Sequence, residues 1–302
     1  MKAIIIGLGV QGKKRKKILG KKYICSVDTN GSGDYTNIKE VPLNLYDTVF
    51  ICTPDSKKID LIKYCLKNNK NVLVEKPLVS KKNKHLSEVA KMAKQKKVFI
   101  KTAYNHRFEP AIIGLKKIIG KKILGKIYNC RIFYGNGTAF LVKRSKWRDK
   151  QPGIITDLGS HLIDIALFLF KGRIKKIKLI EFNKFENKSF DQAIIFLMIN
   201  NIKINLEMTY SMWKNSFYCD VIGSKGSAHI ESLCKWSKSK LIFRKRILPS
   251  GEPIEKINVY NKGDPTWVKE NVDFEKSVKI KKKSELKKDI IINNCFKKIL
   301  KK

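Results

Sequence analysis

Short apolar runs alternate with mixed stretches through the first hundred residues. Ala3, Ile4, Ile5 and Ile6 are continuously apolar, which predicts a strand buried on both faces. Runs at 23–27, 48–51, 71–74 and 98–100 predict four more strands. Between them, residues 57–68 bring Ile59, Ile62 and Leu66 to one side of a helix beside Cys65, and a second helix is predicted from Ser80 to about Lys96. Strands that alternate with helices predict an α/β fold with a doubly wound parallel sheet. From about Gly120 the pattern changes. Residues 127–133, 193–199, 202–208 and 216–222 read as strands without intervening helices, and Gly223, Ser224, Lys225 and Gly226 form a turn into a return strand at 227–230. This half is expected to be α+β, with an open, mainly antiparallel sheet. Two domains are predicted, at 1–119 and 120–302, as the length of 302 residues favours.

The first strand runs straight into Gly7-Leu8-Gly9-Val10-Gln11-Gly12, a G-x-G-x-x-G turn ahead of a helix. In that setting Gly7 allows the tight turn, Gly9 lets backbone N–H groups approach a pyrophosphate, and Gly12 lets the helix pack on the strand. Asp28 ends the second strand about 20 residues on, where a carboxylate can accept hydrogen bonds from an adenosine ribose. No arginine follows it closely, so NAD is expected ahead of NADP. The lesser alternative is that Asp28 merely opens the turn Asp28-Thr29-Asn30-Gly31. Five cations at 13–17 fall in what the pattern reads as the opening turns of the first helix, where they oppose its dipole; a bound anion would relieve them, and salt would weaken that effect.

Composition narrows the class. Hydrophobic residues at 43% indicate a folded chain, and the apolar run ending at Val10 is too short, and too quickly followed by lysines, for a signal peptide. No run approaches a membrane span, so a cytoplasmic protein is expected. Seven scattered cysteines without a C-x-x-C pair imply neither a disulfide framework nor a metal site, and are read as packing residues. The net charge of +39 comes from lysines spread over nearly every segment, which reads as compositional bias rather than a nucleic-acid face. The basic C-terminal stretch, with Lys281, Lys282, Lys283 and the end at 297–302, is taken as a solvated amphipathic helix packed by Ile290, Ile291, Ile292 and Phe296 rather than as a nucleic-acid or membrane contact.

Two further motifs carry chemistry. Glu75-Lys76-Pro77 lies at the carboxyl end of a predicted parallel strand, the edge that faces ligands, where the Lys76 ammonium can stabilise an alkoxide or relay a proton. Asp157 and His161, in Asp157-Leu158-Gly159-Ser160-His161, stand four residues apart at the start of an apolar helix running to Phe170. On a helix they share one face. Imidazole suits removal of a hydroxyl proton near neutral pH, and the carboxylate can orient a hydroxyl. A capping aspartate and a packed histidine are the structural alternative.

In this order the motifs resemble the Gfo/Idh/MocA family, the glucose-fructose oxidoreductase and inositol dehydrogenase group. The likeness is carried by GLGVQG, ICTP at 51–54, VLVEKPL at 72–78, YNHRFEP at 104–110, GKI at 125–127, WRD at 147–149 and GIITDLGSHLID at 153–164. It implies an N-terminal Rossmann domain, a C-terminal domain whose open sheet meets substrate and often a second subunit, and hydride transfer between NAD(P) and a sugar, nucleotide sugar or cyclitol. Carried over by motif, Lys76 is the catalytic lysine before a cis proline at Pro77, His161 the base and Asp157 the orienting group. Gly7, Gly9, Val10, Gln11, Gly12, Asp28, Thr53, Pro54 and Glu75 join Lys76 at the cofactor, and Asn105 and Arg107 join Asp157 and His161 at the substrate. No metal is implied. The chain departs from the family in a short segment between Asp28 and Tyr46, where the elements bordering adenine are expected to be reduced, and in Pro152, where a glycine is usual. A non-catalytic NAD-binding sensor is the reading of another class, and the joint presence of Lys76, Asp157 and His161 counts against it.

Overall fold

The computed structural model describes residues 1–300 except 81, 146, 147, 151 and 285, so Trp147 of the WRD motif and Lys301 and Lys302 of the basic end lie outside the described residues. Two compact units emerge: Met1–Tyr104 with Trp267–Asn294, and Asn105–Thr266 with Cys295–Lys302.

The first unit begins β1 (Ala3–Ile6), α1 (Val10–Leu19), β2 (Tyr23–Val27), β3 (Thr48–Ile51), α2 (Asp55–Lys67), β4 (Asn71–Glu75), α3 (Asn83–Gln95) and β5 (Ile100–Ala103). All five strands pair in parallel, in the order β2-β1-β3-β4-β5. β1 and β3 are buried at every position, as continuously apolar strands covered on both faces must be. The chain steps from β1 to β2 on one side and then to β3 on the other, so the strand order reverses at β1. The last strand differs from expectation. Val98 donates to the Ala93 carbonyl as α3 unwinds, and pairing with β4 begins at Ile100 opposite Val72.

The second unit contains α4 (Pro110–Gly120), β6 (Ile127–Gly135), α5 (Ala139–Lys143), α6 (Ile154–Phe170), β7 (Ile174–Asn183), β8 (Gln192–Ile199), β9 (Ile202–Thr209), β10 (Ser216–Gly223), β11 (Gly226–Glu231), β12 (Ser239–Ile247) and β13 (Gly251–Tyr260). These strands form one eight-stranded sheet, ordered β13-β12-β11-β10-β6-β9-β8-β7. Only β6 and β9 run parallel, so the expected mainly antiparallel sheet is present. Alternation sets its faces: Ala193, Ile195, Leu197 and Ile199 of β8 are buried, with less buried residues between them. α6 is apolar nearly all round and packs over β6, β8 and β9, whereas α4 packs over β11, β12 and β13.

After β13 come α7 (Thr266–Lys279) and α8 (Lys287–Leu300). The units therefore differ from the expected division at 119/120: the first ends at Tyr104 and regains the segment from Trp267. The cause is side-chain packing. Phe274 of α7 fills the space between Phe50 and Phe99, with ring centroids 5.7 and 5.6 Å away, and Asp273 pairs with Lys101.

Candidate active site

In the first unit, the glycine turn sits at the carboxyl edge of the sheet, levelled by Gly7 N–H donating to Val27 O at 2.8 Å and Cys52 N–H to Ile6 O at 2.7 Å. Gly7 has φ +92°, and a Cβ there would lie 2.8 Å from the Cys52 carbonyl oxygen. At Gly12 a Cβ would fall 1.9 Å from the Gly7 oxygen, so close helix–strand packing demands glycine. Gly9 is different: a Cβ there would meet nothing within 4 Å. That open position, at the start of a helix with no side-chain cap and with Val10 83% exposed, fits a ligand that approaches the backbone closely.

Asp28 joins both sequence readings. Its Oδ2 accepts from Leu8 N–H at 2.6 Å, which latches the glycine turn, while Oδ1 accepts from Asn30 N–H at 3.2 Å inside its own turn. Each carboxylate oxygen retains accepting capacity for a ribose hydroxyl. From 28 to 47 the described chain has two 3-10 turns, Ile38–Glu40 and Leu43–Leu45, so the reduction expected of this short segment is present. The cation argument requires correction. α1 is only ten residues long, and Lys16 and Lys17 occupy its last turn, where they complement the dipole. Arg15 is buried and bonds Glu75 at 2.8 Å and Glu270 at 2.6 Å. Burial opposes its charge, yet the two carboxylates outweigh that and raise its pKa. Glu75 is thereby committed to Arg15, tying the end of β4 to α1. Next to it, the Lys76–Pro77 peptide is cis, as the resemblance implies, and buried Lys58 donates to the Pro77 carbonyl at 2.9 Å. Thr53 Oγ1 is buried without a hydrogen-bond partner among the described residues, and Pro54 stands exposed at the head of α2. A hydroxyl so placed at the carboxyl edge can receive a cofactor amide.

In the second unit, α6 carries Asp157 and His161 one turn apart, so the expected pairing on one helix is present. Asp157 Oδ2 accepts from the Tyr210 hydroxyl at 2.8 Å and from Arg148 Nη2 at 3.2 Å. Burial, and then the Asp157 charge, raise the pKa of both Tyr210 and Tyr134. His161 is only 7% exposed and its ring stacks on His106, with centroids 4.1 Å apart and planes 30° from parallel. Lys235 Nζ lies 3.3 Å from His106 Nε2 and donates to Tyr134 Oη at 2.8 Å. The remaining two expected residues are both hydrogen-bonded within this unit: Arg107 grips Asp164 of α6 through Nε at 2.7 Å and through Nη2, and Asn105 donates to Thr266 Oγ1 at 2.8 Å. Arg107, expected at substrate, is thus engaged in fastening the 3-10 turn Asn105–Phe108 to α6.

His106, Tyr134, Arg148, Tyr210 and Lys235 were not singled out from the sequence. His106 and Arg148 lay within quoted motifs; Tyr134 and Tyr210 reach the cluster from strand ends and Lys235 from the turn between β11 and β12, all far away in the chain and without a local signature. Among the described residues no group of three His, Cys, Asp or Glu is arranged to hold a metal ion. All seven cysteines are free thiols, and burial pushes Cys65 and Cys295 up to about 12, as befits packing residues.

Comparison with known proteins identifies the architecture. Residues 2–104 match the oxidoreductase family model with an NAD-binding Rossmann fold, and 112–229 match the GFO/IDH/MocA C-terminal domain. The chain belongs to the Gfo/Idh/MocA family. Among curated relatives it is 27% identical over 127 residues to scyllo-inositol 2-dehydrogenase (NADP(+)) IolW of Bacillus subtilis (strain 168), across 41% of this chain and 35% of that protein. It is 28% identical over 153 residues to glucose-6-phosphate 3-dehydrogenase of the same organism, across 48% and 42%. The chain thus spans about two-fifths of the length of these relatives. Levoglucosan dehydrogenase, solved with NADH and L-sorbose, superposes with a TM-score of 0.82 at 15% identity over 98% of this chain and 95% of that one. UDP-N-acetylglucosamine 3-dehydrogenase GnnA of Acidithiobacillus ferrooxidans gives 0.81 at 15% identity, over 98% and 95%. In this Gfo/Idh/MocA protein the first unit is the NAD-binding Rossmann domain, and no described helix is long and apolar enough to cross a membrane.

Proposed function

We propose that this Gfo/Idh/MocA protein is an NAD-dependent dehydrogenase, with NADP as the second option, acting on a hydroxyl of a sugar, nucleotide sugar or cyclitol or on the corresponding ketone. The observation that carries this reading is the Asp157–His161 pair: one turn apart on buried α6, with Asp157 anchored by Tyr210 and Arg148. The bared backbone at Gly9 and the uncapped start of α1 fit a dinucleotide pyrophosphate, with Val10, Gln11 and Gly12 opening the helix and Asp28 accepting from ribose. Thr53, Pro54 and Glu75 belong to the same edge, and Asn105 and Arg107 support the substrate cluster through Thr266 and Asp164.

NAD, when bound, supplies the hydride acceptor for alcohol oxidation. The rest is done by side chains: a ring nitrogen of His161 takes the hydroxyl proton, Asp157 accepts from an adjoining hydroxyl, and the Lys76 ammonium stabilises the developing alkoxide. A homo-oligomer through the open face of the second sheet is part of this reading. There Phe133 and Tyr218 stack at 6.0 Å, while Arg131, Asp220 and His229 follow one another as a polar row across β6, β10 and β11, a pattern that a second copy can match. Seven free thiols suit a reducing, cytoplasmic location.

The test follows nicotinamide absorbance against a panel of sugars, nucleotide sugars and cyclitols. Lys76→Ala and His161→Ala are each expected to lower kcat on the preferred substrate by about 100-fold or more, within the usual range for acid–base groups. Wild-type rates in both variants would refute the assignment.

A further inference from the structure

On the open face of the eight-stranded sheet, His229 links two polar side chains. Asp220 of β10 and His229 of β11 pair directly across the ladder, and Ser227 stands two residues before His229, so strand alternation sends all three to one side. His229 Nδ1 lies 2.7 Å from Asp220 Oδ1, and its Nε2 lies 2.8 Å from Ser227 Oγ. A carboxylate only accepts, so in the neutral ring the proton sits on Nδ1 and Nε2 turns its lone pair to the Ser227 hydroxyl. Ser227 is then the donor of that contact. A hydroxyl held against an imidazole whose tautomer a carboxylate fixes is an activated nucleophile. The side chains of His229 and Asp220 are 17% and 40% exposed, and Ser227 is partly exposed, so reagents can reach the group. Arg244 of β12 pairs with Ser227 from the other side, a position from which Cβ atoms are about 4.5–5.5 Å apart. Its Nε donates to Glu255 Oε2 at 2.6 Å, and the guanidinium has further N–H donors. A cation therefore stands beside the hydroxyl. Asp220 in turn is paired with Arg131 of β6, which bonds Glu207 at 3.0 Å.

We propose that Ser227 is a second reactive centre of this chain, a hydroxyl activated by His229 and Asp220 that takes an acyl group from an anionic, activated donor of the acyl phosphate class. Ser227 Oγ attacks the carbonyl carbon while its proton passes to His229 Nε2. The bond from that carbon to the phosphate oxygen breaks, and phosphate leaves with the electron pair. The product is an ester on Ser227, with no oxidant or reductant involved. Asp220 holds the ring and stabilises the imidazolium that forms. Arg244 draws in the donor's phosphate and opposes the negative charge that develops on the carbonyl oxygen. Water, activated by the same imidazole, can then hydrolyse the ester and restore the hydroxyl. None of the side chains assigned to hydride transfer takes part.

A fluorophosphonate reports base-activated serines, since an Oγ–P bond forms as P–F breaks, fluoride leaves and the imidazole takes the proton. Peptide mapping of the full-length chain is expected to find this probe on Ser227 about 100-fold faster than on Ser32, the low end for a positioned base. Ser32 is an exposed serine whose hydroxyl donates to Asn30 instead. His229→Gln should bring Ser227 down to the rate of Ser32, and Ser227→Ala should abolish labelling there. Circular dichroism checks the fold, and Asp220→Asn carries the same comparison if His229→Gln does not fold. With acetyl phosphate, Ser227 should gain one acetyl group that neutral hydroxylamine removes, as it removes esters but not the amides formed on lysines. A second copy seated on this face would cover Ser227, so both reactions are run over a protein dilution series and on Tyr218→Asp. Labelling of Ser227 no faster than of Ser32 under all these conditions, or undiminished in the folded His229→Gln, overturns the inference. Fluorophosphonate labelling without a hydroxylamine-labile acetyl group at Ser227 overturns the acyl phosphate donor.

Discussion

The three glycines of the turn act in physically separate ways, and substitution distinguishes them. Gly12→Ala drives a methyl group into the Gly7 carbonyl, so it should cost roughly 3 kcal/mol or more of stability and abolish NAD binding together with the fold around β1. Gly9→Ala meets open space and should leave the Tm unchanged, yet weaken NAD binding by about tenfold or more, on the order of 1.4 kcal/mol, read by calorimetric titration. Asp34 supplies a pH signature. Its Oδ2 accepts from Ser26 Oγ, Tyr23 Oη and Ser26 N–H, each at 2.8 Å, which holds its pKa down at about 2. A depressed carboxylate contributes stability above its unfolded value near ~3.9 and loses it as pH falls through the folded one. The urea-midpoint difference between wild type and Asp34→Asn should therefore be constant above about pH 4 and close toward pH 2, and it should be small because Asp34 is exposed. At this scale much was legible. Glycine spacing and the D-x-G-x-H pattern are local, and local geometry enforces them; the partners of Arg15 and Arg107 were not legible, since a charged side chain looks alike in sequence whether solvated or paired.

Among the elements, α7 has the largest consequence for the fold. It closes the first unit by placing Phe274 against Phe50 and Phe99 and Glu270 against Arg15, and burial raises the Glu270 pKa while Arg15 opposes the rise. Phe274→Ala should destabilise the first unit by roughly 3–5 kcal/mol, measured by denaturant unfolding of the full chain. The strands β1 and β3 were evident because parallel strands covered on both faces read as unbroken apolar runs. By contrast, α7, β12 and β13 escaped notice. Their apolar residues are interrupted by lysines and glutamates, and β13 is exposed along nearly its whole length, so no burial pattern marks it.

For the whole molecule, the open face of the eight-stranded sheet is the feature that bears on assembly. Tyr218→Asp, on that face and 47% exposed, should shift the chain toward a smaller species in light scattering without lowering secondary structure, if the face joins two copies. The order of elements, the parallel and antiparallel halves, the glycine turn and the imidazole–carboxylate pair were determined by the sequence alone, because each depends on residues within one turn, one strand or one helix. Tertiary structure decided the rest: that the first unit recovers a helix from Trp267 onward, that Arg15 joins Glu75 and Glu270 across 60 and 255 residues, and that Lys235 meets His106 across 129. Such contacts obey no period along the chain. They arise from which buried charges and rings can satisfy one another once the strands have paired.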